Sequence, residues 1–279
     1  MSRPIGEALT ELRGRLTAAG IENAAREARL IMAAALGVGQ DRVSLMQPDP
    51  LPEAAEDHLA AMAARRCGRE PLSHILGLRA FYDHEFRVTR DVLDPRPETE
   101  VLVRAALAVP FDRVLDLGTG SGCILLSLLA ARTGAQGTGT DLSPAALQVA
   151  QSNAEYLGLT DKANFMLSDW FSGVDGRFDL IVSNPPYIPA ADMAALDPEL
   201  AFEPRAALTD EGDGLGAYRM IAAHARDYLS ADGWLMMETG WTQGPQVAQL
   251  LQGQGFTDIR ILPDLDGRDR VVQGRAPTA

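Results

Sequence analysis

Arg113-Val114-Leu115-Asp116-Leu117-Gly118-Thr119-Gly120-Ser121-Gly122 is the stretch on which the fold turns. A short, mostly apolar strand runs into glycines, and residues 121–131 continue as an apolar helix. Glycines between strand and helix leave bare backbone at the carboxyl end of the strand, where open α/β sheets bind ligands. Downstream the pattern repeats. Residues 137–141 read as a second strand ending in the acid Asp141, and residues 144–157 as a helix with Pro144 in its first turn. Residues 164–167, 178–183 and 234–238 read as further strands, with helices at 217–229 and 245–252. Residues 257–262 and 270–273 lie close enough to form an antiparallel hairpin. This alternation predicts an α/β fold: a doubly wound, mostly parallel sheet with helices on both faces and a late antiparallel hairpin.

Upstream the period changes to that of helices. Ile5, Ala8, Leu9, Leu12 and Leu16 fall at helical spacing; Leu30, Ile31, Ala34 and Ala35 continue the theme before Gly37 and Gly39. Leu51, Ala55, Leu59 and Met62 make a third stripe after Pro48, Pro50 and Pro52. Residues 1–75 therefore read as a small N-terminal helical bundle. Arg65, Arg66 and Arg69 cluster near its end; a solvated helix face is the plain reading, a contact for an acidic partner the sharper one. In residues 76–95, Phe81, Phe86 and Val88 stand among polar residues, as in a short hairpin or an extended linker. Asp94-Pro95-Arg96-Pro97-Glu98 is too rich in proline for a helix interior, and a helical pattern resumes over 98–107. The third region is then 96–279.

Composition narrows the function classes. The 279 residues are 46% hydrophobic, enough for a substantial core. Twenty-five Lys and Arg stand against 38 Asp and Glu, a formal net charge of -13. Such a surface repels phosphate backbones, so direct nucleic-acid binding is disfavoured unless a local basic patch forms. Two cysteines, Cys67 and Cys123, make no disulfide framework and fit a reducing compartment. No basic-then-apolar leader pattern and no bilayer-length apolar run stand out, so the expectation is a cytoplasmic protein without a membrane partner. His58, His74, His84 and His224 have no ligand spacing among themselves or with the cysteines, so no metal is expected.

The glycine loop departs from a dinucleotide fingerprint. Cys123 stands where Gly-x-Gly-x-x-Gly, counted from Gly118, has its last glycine, and Asp116 places an acid beside the loop. An acid there is awkward for a pyrophosphate but suits S-adenosyl-L-methionine, which has no phosphate and carries cationic sulfonium and amino groups. Asp141, roughly 20 residues on, stands where a ribose-binding acid belongs. The candidate cofactor contacts are Gly118, Thr119, Gly120, Ser121, Gly122 and Asp141. After the third strand, Asp169 can accept from an adenine amino group and Trp170 can lie against the cofactor, or simply pack over the sheet edge. Cys123 opens the helix, where a helix N-terminus can lower a thiol pKa, although packing of a small residue is the plainer role. Glu238 ends the fifth strand near the cleft; a strand-end role is plainer than that of a general base.

Ser183-Asn184-Pro185-Pro186-Tyr187 follows the fourth strand and is the most informative stretch for chemistry. Consecutive prolines leave a stiff backbone with no N–H donors. What remains are carbonyl acceptors and the Asn184 side-chain oxygen. A flat –NH2 group offers two hydrogens; Asn184 can take one and the Pro185 carbonyl the other. Its nitrogen lone pair is delocalised and weakly nucleophilic, so fixed acceptors that aim it at a methyl group would do most of the catalysis. Asn184, Pro185 and Tyr187 are the candidate catalytic residues. Tyr187 would pack against the flat group.

The pairing of Asp-Leu-Gly-Thr-Gly-Ser-Gly at 116–122 with Asn-Pro-Pro-Tyr at 184–187 resembles a Rossmann-like class I amino methyltransferase. Arg69-Glu70-Pro71-Leu72-Ser73-His74-Ile75-Leu76-Gly77 and Pro95-Arg96-Pro97-Glu98-Thr99-Glu100 resemble the PrmC/HemK family of peptide chain release factor glutamine methyltransferases. Phe202-Glu203-Pro204, Ala207-Leu208, Asp213-Gly214-Leu215 and Asp269-Arg270-Val271-Val272 fit the same family, so the resemblance covers nearly the whole chain. It implies S-adenosyl-L-methionine as cofactor, with Asn184 and Trp170 among its contacts. It also implies, as substrate, the side-chain amide nitrogen of the glutamine in the Gly-Gly-Gln loop of class 1 release factors. Asn184, Pro185, Pro186 and Tyr187 would bind that glutamine, Phe81 and Arg96 would wall the pocket, and the N-terminal bundle would help hold the partner protein. Asp94 departs from the family, which has an apolar residue before Pro-Arg-Pro, and this puts a charge near the linker. Three alternatives stand beside this reading: an exocyclic-amine methyltransferase of a nucleic-acid base, a glutamine methyltransferase of a ribosomal protein, and a non-catalytic cofactor-binding scaffold. The acidic balance counts against the first, and the intact 184–187 loop against the last.

Overall fold

A computed structural model describes residues 3–278 and divides the chain into two units. One comprises the residues up to Gly77 together with Pro198–Phe202; the other comprises Leu78–Asp197 and the residues from Glu203 onward.

The first unit is a helical bundle: α1 (Ile5–Ala18), α2 (Ala24–Leu36), the short α3 (Gln40–Val43), α4 (Glu53–Cys67) and α5 (Leu72–Leu76). Each long helix buries one apolar stripe. Ile5, Ala8, Leu12 and Leu16 of α1 meet Ala28, Ile31 and Met32 of α2 and Ala55, Leu59 and Ala63 of α4 in one core. The stripe of α2 runs through Ala28, Ile31, Met32 and Ala35, so Ala34, read from sequence as part of it, faces solvent instead. Gly37 ends α2 in the left-handed conformation at φ 65°, its N–H returning to the helix carbonyls. The arginine cluster also corrects the plain reading. Arg66 is only 6% exposed, and its guanidinium binds Glu27 at 2.6 Å and Glu199 at 3.2 Å. Arg69 meets Glu199 at 2.9 Å. The acidic partners are the chain's own, and Glu199 brings a segment from far along the sequence into this unit.

The second unit opens with a hairpin of β1 (Leu78–Phe81) and β2 (His84–Arg87), then α6 (Glu100–Leu107) after a 3-10 turn at Pro97–Thr99. Its main sheet contains β3 (Arg113–Leu117), β4 (Gln136–Asp141), β5 (Ala163–Leu167), β6 (Phe178–Ser183), β7 (Leu229–Glu238), β8 (Thr257–Pro263) and β9 (Asp269–Arg275). The order is β5-β4-β3-β6-β7-β9-β8, parallel through β7, with β9 antiparallel to both its neighbours. The connecting helices are α7 (Cys123–Ala131), α8 (Pro144–Leu157), α9 (Arg205–Leu208), α10 (Gly216–Tyr228) and α11 (Gly244–Gly253). Side chains of β3 alternate between two cores. Val114 joins Leu102, Val103, Leu125 and Leu128 on one face; Leu115 and Leu117 join Tyr218, Ile221, Val247 and Leu251 on the other. This is the expected doubly wound sheet with its late hairpin. β7 starts five residues before the expected Trp234, because a bulge at residues 230–233 carries the pairing from Phe178–Leu229 to Leu180–Trp234. Asp232, at φ 62°, makes the turn of that bulge.

Candidate active site

The order β4-β3-β6 means that the chain leaves β3 toward one side and later returns on the other. Such a switch point opens a crevice at the carboxyl ends of these strands. A cavity of about 340 Å3 lies there. It is lined by Gly118, Thr119, Gly120 and Ser121 after β3, Asp141 after β4, Asp169 and Trp170 after β5, and Asn184 and Pro186 after β6. Arg96 and Thr99 complete one wall, and Pro204, Ala206 and Ala207 another.

The loop after β3 is shaped by torsion and by one carboxylate. Gly118 and Gly120 sit at φ 70° and 55°, and a Cβ on either would meet no protein atom within 4 Å. The space beside their backbone is left to a ligand. Asp141 Oδ2 accepts from the Gly120 N–H at 2.9 Å and Oδ1 from the Ser143 N–H at 2.9 Å, which leaves lone pairs on both oxygens for hydroxyl donors. Asp116 lies fully buried and does not line the cavity. Burial pushes its carboxyl up to about 7, against the hydrogen bond from Thr119 Oγ1 at 2.7 Å and with the help of the Asp141 charge. Burial also pushes the Cys123 thiol up to about 12, so its place at the start of α7 does not activate it.

Trp170 holds a left-handed backbone at φ 50°, costly for a residue with a Cβ. Ser168 enforces it: its hydroxyl donates to the Trp170 carbonyl at 2.9 Å and accepts from the Gly173 N–H at 3.0 Å. The indole thus lies on the cavity wall while packing partly against the core.

Asn184 is the polar centre of the opposite wall. Its Nδ2 donates to Thr99 Oγ1 at 3.3 Å, and its buried Oδ1 has no hydrogen-bond partner among the described residues. Gln243 braces the loop from behind: Nε2 donates to the Tyr187 carbonyl at 2.9 Å and the Gly214 carbonyl at 3.2 Å, while Oε1 accepts from the Gly240 N–H. Burial raises the Tyr187 phenol, so it stays protonated at neutral pH.

Four expected residues fall outside the lining. Gly122, at φ 78°, caps α7 and presses toward Leu126 and Ala150, where a Cβ would come within 3.1 and 3.3 Å. Pro185 is buried in the turn, and Tyr187 lies behind the wall against the second core. Phe81, expected as a wall, is 2% exposed and packs edge-on against Phe86 in the first core, their ring centroids 6.0 Å apart. Arg96 does line the cavity, held by Glu203 at 2.6 Å and by Asp94 at 3.9 Å. Asp94, the unusual charge, is 3% exposed and pairs also with Arg79 at 3.5 Å, so the structure absorbs it. Thr99, Gln243 and Leu142 were not singled out from sequence. Leu142 had a signal, an apolar residue directly after the strand-ending acid, and it is 67% exposed on the cavity rim. Among the described residues no group of His, Cys, Asp or Glu could hold a metal ion, and no helix is long and apolar enough to cross a membrane.

Comparison with known proteins adds the following. Residues 7–77 match the family described as the PrmC N-terminal domain, and residues 89–215 the methyltransferase small domain. A release factor glutamine methyltransferase of Cereibacter sphaeroides is 53% identical, covering 95% of this chain and 96% of its own. One of Rhodospirillum rubrum is 46% identical, covering 99% of this chain and 86% of its own. Among solved structures, a methyltransferase of Pyrococcus furiosus superposes with a TM-score of 0.54 at 15% identity, over 71% of this chain and 91% of its own, a likeness of fold alone.

Proposed function

This chain belongs to the release factor glutamine methyltransferase family, and from that premise we propose that it transfers a methyl group to the side-chain N5 of the glutamine in the Gly-Gly-Gln loop of class 1 peptide chain release factors. The observation that carries the reading is Asn184 Oδ1: a buried, unpartnered acceptor on the wall of the cavity. A buried acceptor without a partner costs stability unless a ligand supplies the donor, and an amide –NH2 is such a donor.

S-adenosyl-L-methionine is the proposed methyl donor; when bound, it supplies an electrophilic methyl group on a sulfonium that departs as a neutral thioether. Its fit is supported by the ligand space beside Gly118 and Gly120 and by the spare lone pairs of Asp141 for the ribose hydroxyls. The indole of Trp170, the exposed side chain of Leu142 and the carboxylate of Asp169 suit an adenine. The cavity volume falls within the usual range for small-ligand sites.

Asn184 Oδ1 takes one hydrogen of the glutamine –NH2; Pro185 lies outside the cavity lining, and its carbonyl is the acceptor we assign to the other. Held in this way, the nitrogen lone pair would be free to accept the donor's methyl, with the neutral thioether as leaving group and one N–H proton released to water. The two acceptors stabilise positive charge developing on nitrogen, so positioning and electrostatics carry the rate. No side chain need act as a base. The partner is thus a release factor, met in the cytoplasm, with the N-terminal bundle as its second contact. An exocyclic amine on a nucleic-acid base would fit the same acceptors, but the net charge of -13 opposes a phosphate backbone.

Mass spectrometry of a class 1 release factor after incubation with the enzyme and labelled cofactor tests the reading. A gain of one methyl on the Gly-Gly-Gln peptide is expected. Label on ribosomal protein or RNA with none on the release factor would reassign the substrate.

A further inference from the structure

We propose that Gln243 is a positioning residue for methyl transfer: its side-chain amide anchors the 184–187 turn through the Tyr187 carbonyl and thereby holds Asn184 in place on the cavity wall. The inference rests on the functional reading above and deepens it. A turn built on Pro185 and Pro186 has a stiff backbone but no N–H at either proline, so little of it can be tied down by its own donors. Its flanks are fixed. Ser183 Oγ donates to the Leu117 carbonyl at 2.7 Å, and the Ile188 N–H donates to the Leu208 carbonyl at 2.9 Å. Between them, among the described residues, the backbone of 185–187 makes one hydrogen bond, accepted by the Tyr187 carbonyl from Gln243 Nε2 at 2.9 Å.

The anchor is itself held on every side. A glutamine amide carries two N–H hydrogens on one arm and an acceptor oxygen on the other. Gln243 Nε2 donates to the Tyr187 carbonyl and to the Gly214 carbonyl at 3.2 Å, and Oε1 accepts from the Gly240 N–H at 3.0 Å. Turned over, the amide would set its oxygen against two carbonyls and its N–H groups against another N–H, so the three bonds fix one orientation. The backbone of Gln243 is fixed as well. Its N–H donates to the Gly240 carbonyl at 2.9 Å, and its carbonyl accepts from the Val247 N–H at 3.0 Å at the start of α11. That helix is packed into the second core through Val247 and Leu251, both fully buried. A group carried on a packed helix is placed more exactly than one on a free loop.

Two glycines clear the space that this anchor needs. A Cβ on Gly214, at φ 75°, would clash with the Tyr187 carbonyl oxygen and come within 3.0 Å of Gln243 Nε2. One on Gly240 would come within 2.8 Å of Gln243 Oε1 and 3.5 Å of Tyr187 Cδ2. Gln243 does not line the cavity, whereas Asn184 and Pro186 of the turn do. Its effect on the reaction therefore passes through the turn. With the Tyr187 carbonyl untied, Asn184 Oδ1 loses its fixed place beside the glutamine –NH2, and a misplacement of about 1 Å at such a group can cost about a hundredfold in rate.

The test is kcat on a whole release factor at saturating cofactor, with cofactor Kd and stoichiometry measured by calorimetry on the same preparations. Gln243→Met keeps the bulk and removes the hydrogen bonds. Gln243→Glu keeps an acceptor for the Gly240 N–H and removes the donors to Tyr187 and Gly214. Each is expected to lower kcat about tenfold or more, with the parent's cofactor Kd and stoichiometry and little change in KM. In an Asn184→Ala background either change should lower kcat by no more than about threefold, because the group that Gln243 aims is already gone. The inference is overturned if both variants keep the parent kcat, if their lost activity matches lost cofactor-binding sites, or if their losses multiply in full with that of Asn184→Ala. The glutamate variant carries the comparison where the methionine variant folds poorly. A parent enzyme that leaves the release factor unmethylated sinks the functional reading itself, whereas a methylating parent with insensitive variants sinks this inference alone.

Discussion

At the scale of single residues, the decisive atom of the cleft is one buried acceptor. Asn184 Oδ1 has no hydrogen-bond partner among the described residues. Asn184→Ala should lower kcat by about 10²–10³, comparable to the loss of one preorganised hydrogen-bonding group in other active sites, with cofactor affinity less affected. A turnover close to the parent's would remove Asn184 from the chemistry. Asp116 makes a different prediction. Its folded pKa of about 7 stands above the ordinary 3.8. Between those values the native chain keeps a proton that the unfolded chain has lost. Its contribution to stability is therefore full at low pH and disappears as pH rises through about 7. Glu238 adds a term of the same sign from its ordinary 4.5 up to about 7. The melting temperature of the ligand-free protein should decline across this window, and Asp116→Asn should flatten part of the decline. An unchanged slope in that variant would mean that Asp116 is ionised throughout. None of this was visible as titration behaviour in the sequence, where Asp116 is simply an acid beside glycines.

The glycine loop is the element in which sequence and structure can be compared most closely. Its three glycines all read alike as cofactor contacts, yet the structure separates them. Gly118 and Gly120 face open space, whereas Gly122 faces Leu126 and Ala150. All three have positive φ, so alanine costs about 1–2 kcal/mol of backbone strain at any of them. Beyond that shared cost the effects should part. Gly118→Ala should weaken cofactor binding about tenfold or more by entering the ligand's space, with a modest change in melting temperature. Gly122→Ala should lower the melting temperature further and spare the affinity of whatever remains folded. Titration calorimetry and thermal denaturation of both variants distinguish the two roles, and equal effects on binding would return Gly122 to the cofactor site. The helices were legible from their stripes, because burial imposes a period that repeats. The bulge in β7 was not, because a two-register strand leaves no periodic trace around Asp232 and Gly233.

At the scale of the whole molecule, the segment Pro198–Phe202 belongs with the N-terminal bundle although it lies more than a hundred residues away in sequence. Arg66 joins it there, between Glu27 and Glu199. Arg66→Ala would leave Glu27 without its cation and Glu199 with Arg69 alone, and should lower stability by about 1–3 kcal/mol in urea denaturation. A midpoint equal to the parent's would reduce the network to surface decoration. The excess of acidic residues makes a further prediction. Binding to duplex DNA or RNA should stay negligible at physiological salt, whereas a basic surface on the partner protein would quicken its association.

Local sequence by itself determined the alternation of strands and helices, the acid after β4, the glycine turn and the donor-free Asn-Pro-Pro-Tyr turn. Each of these is written in neighbouring residues and follows from torsion, period or missing N–H groups. Only the tertiary structure decided which side of Asn184 faces the cavity, that Phe81 is core while Arg96 is wall, and that Asp94 and Arg66 are buried among opposite charges. Thr99 meets Asn184 across 85 positions and Gln243 meets Tyr187 across 56. A hydrogen bond needs its partners within about 3 Å, and chain order places no constraint on which distant atoms come that close until the sheet and helices have packed.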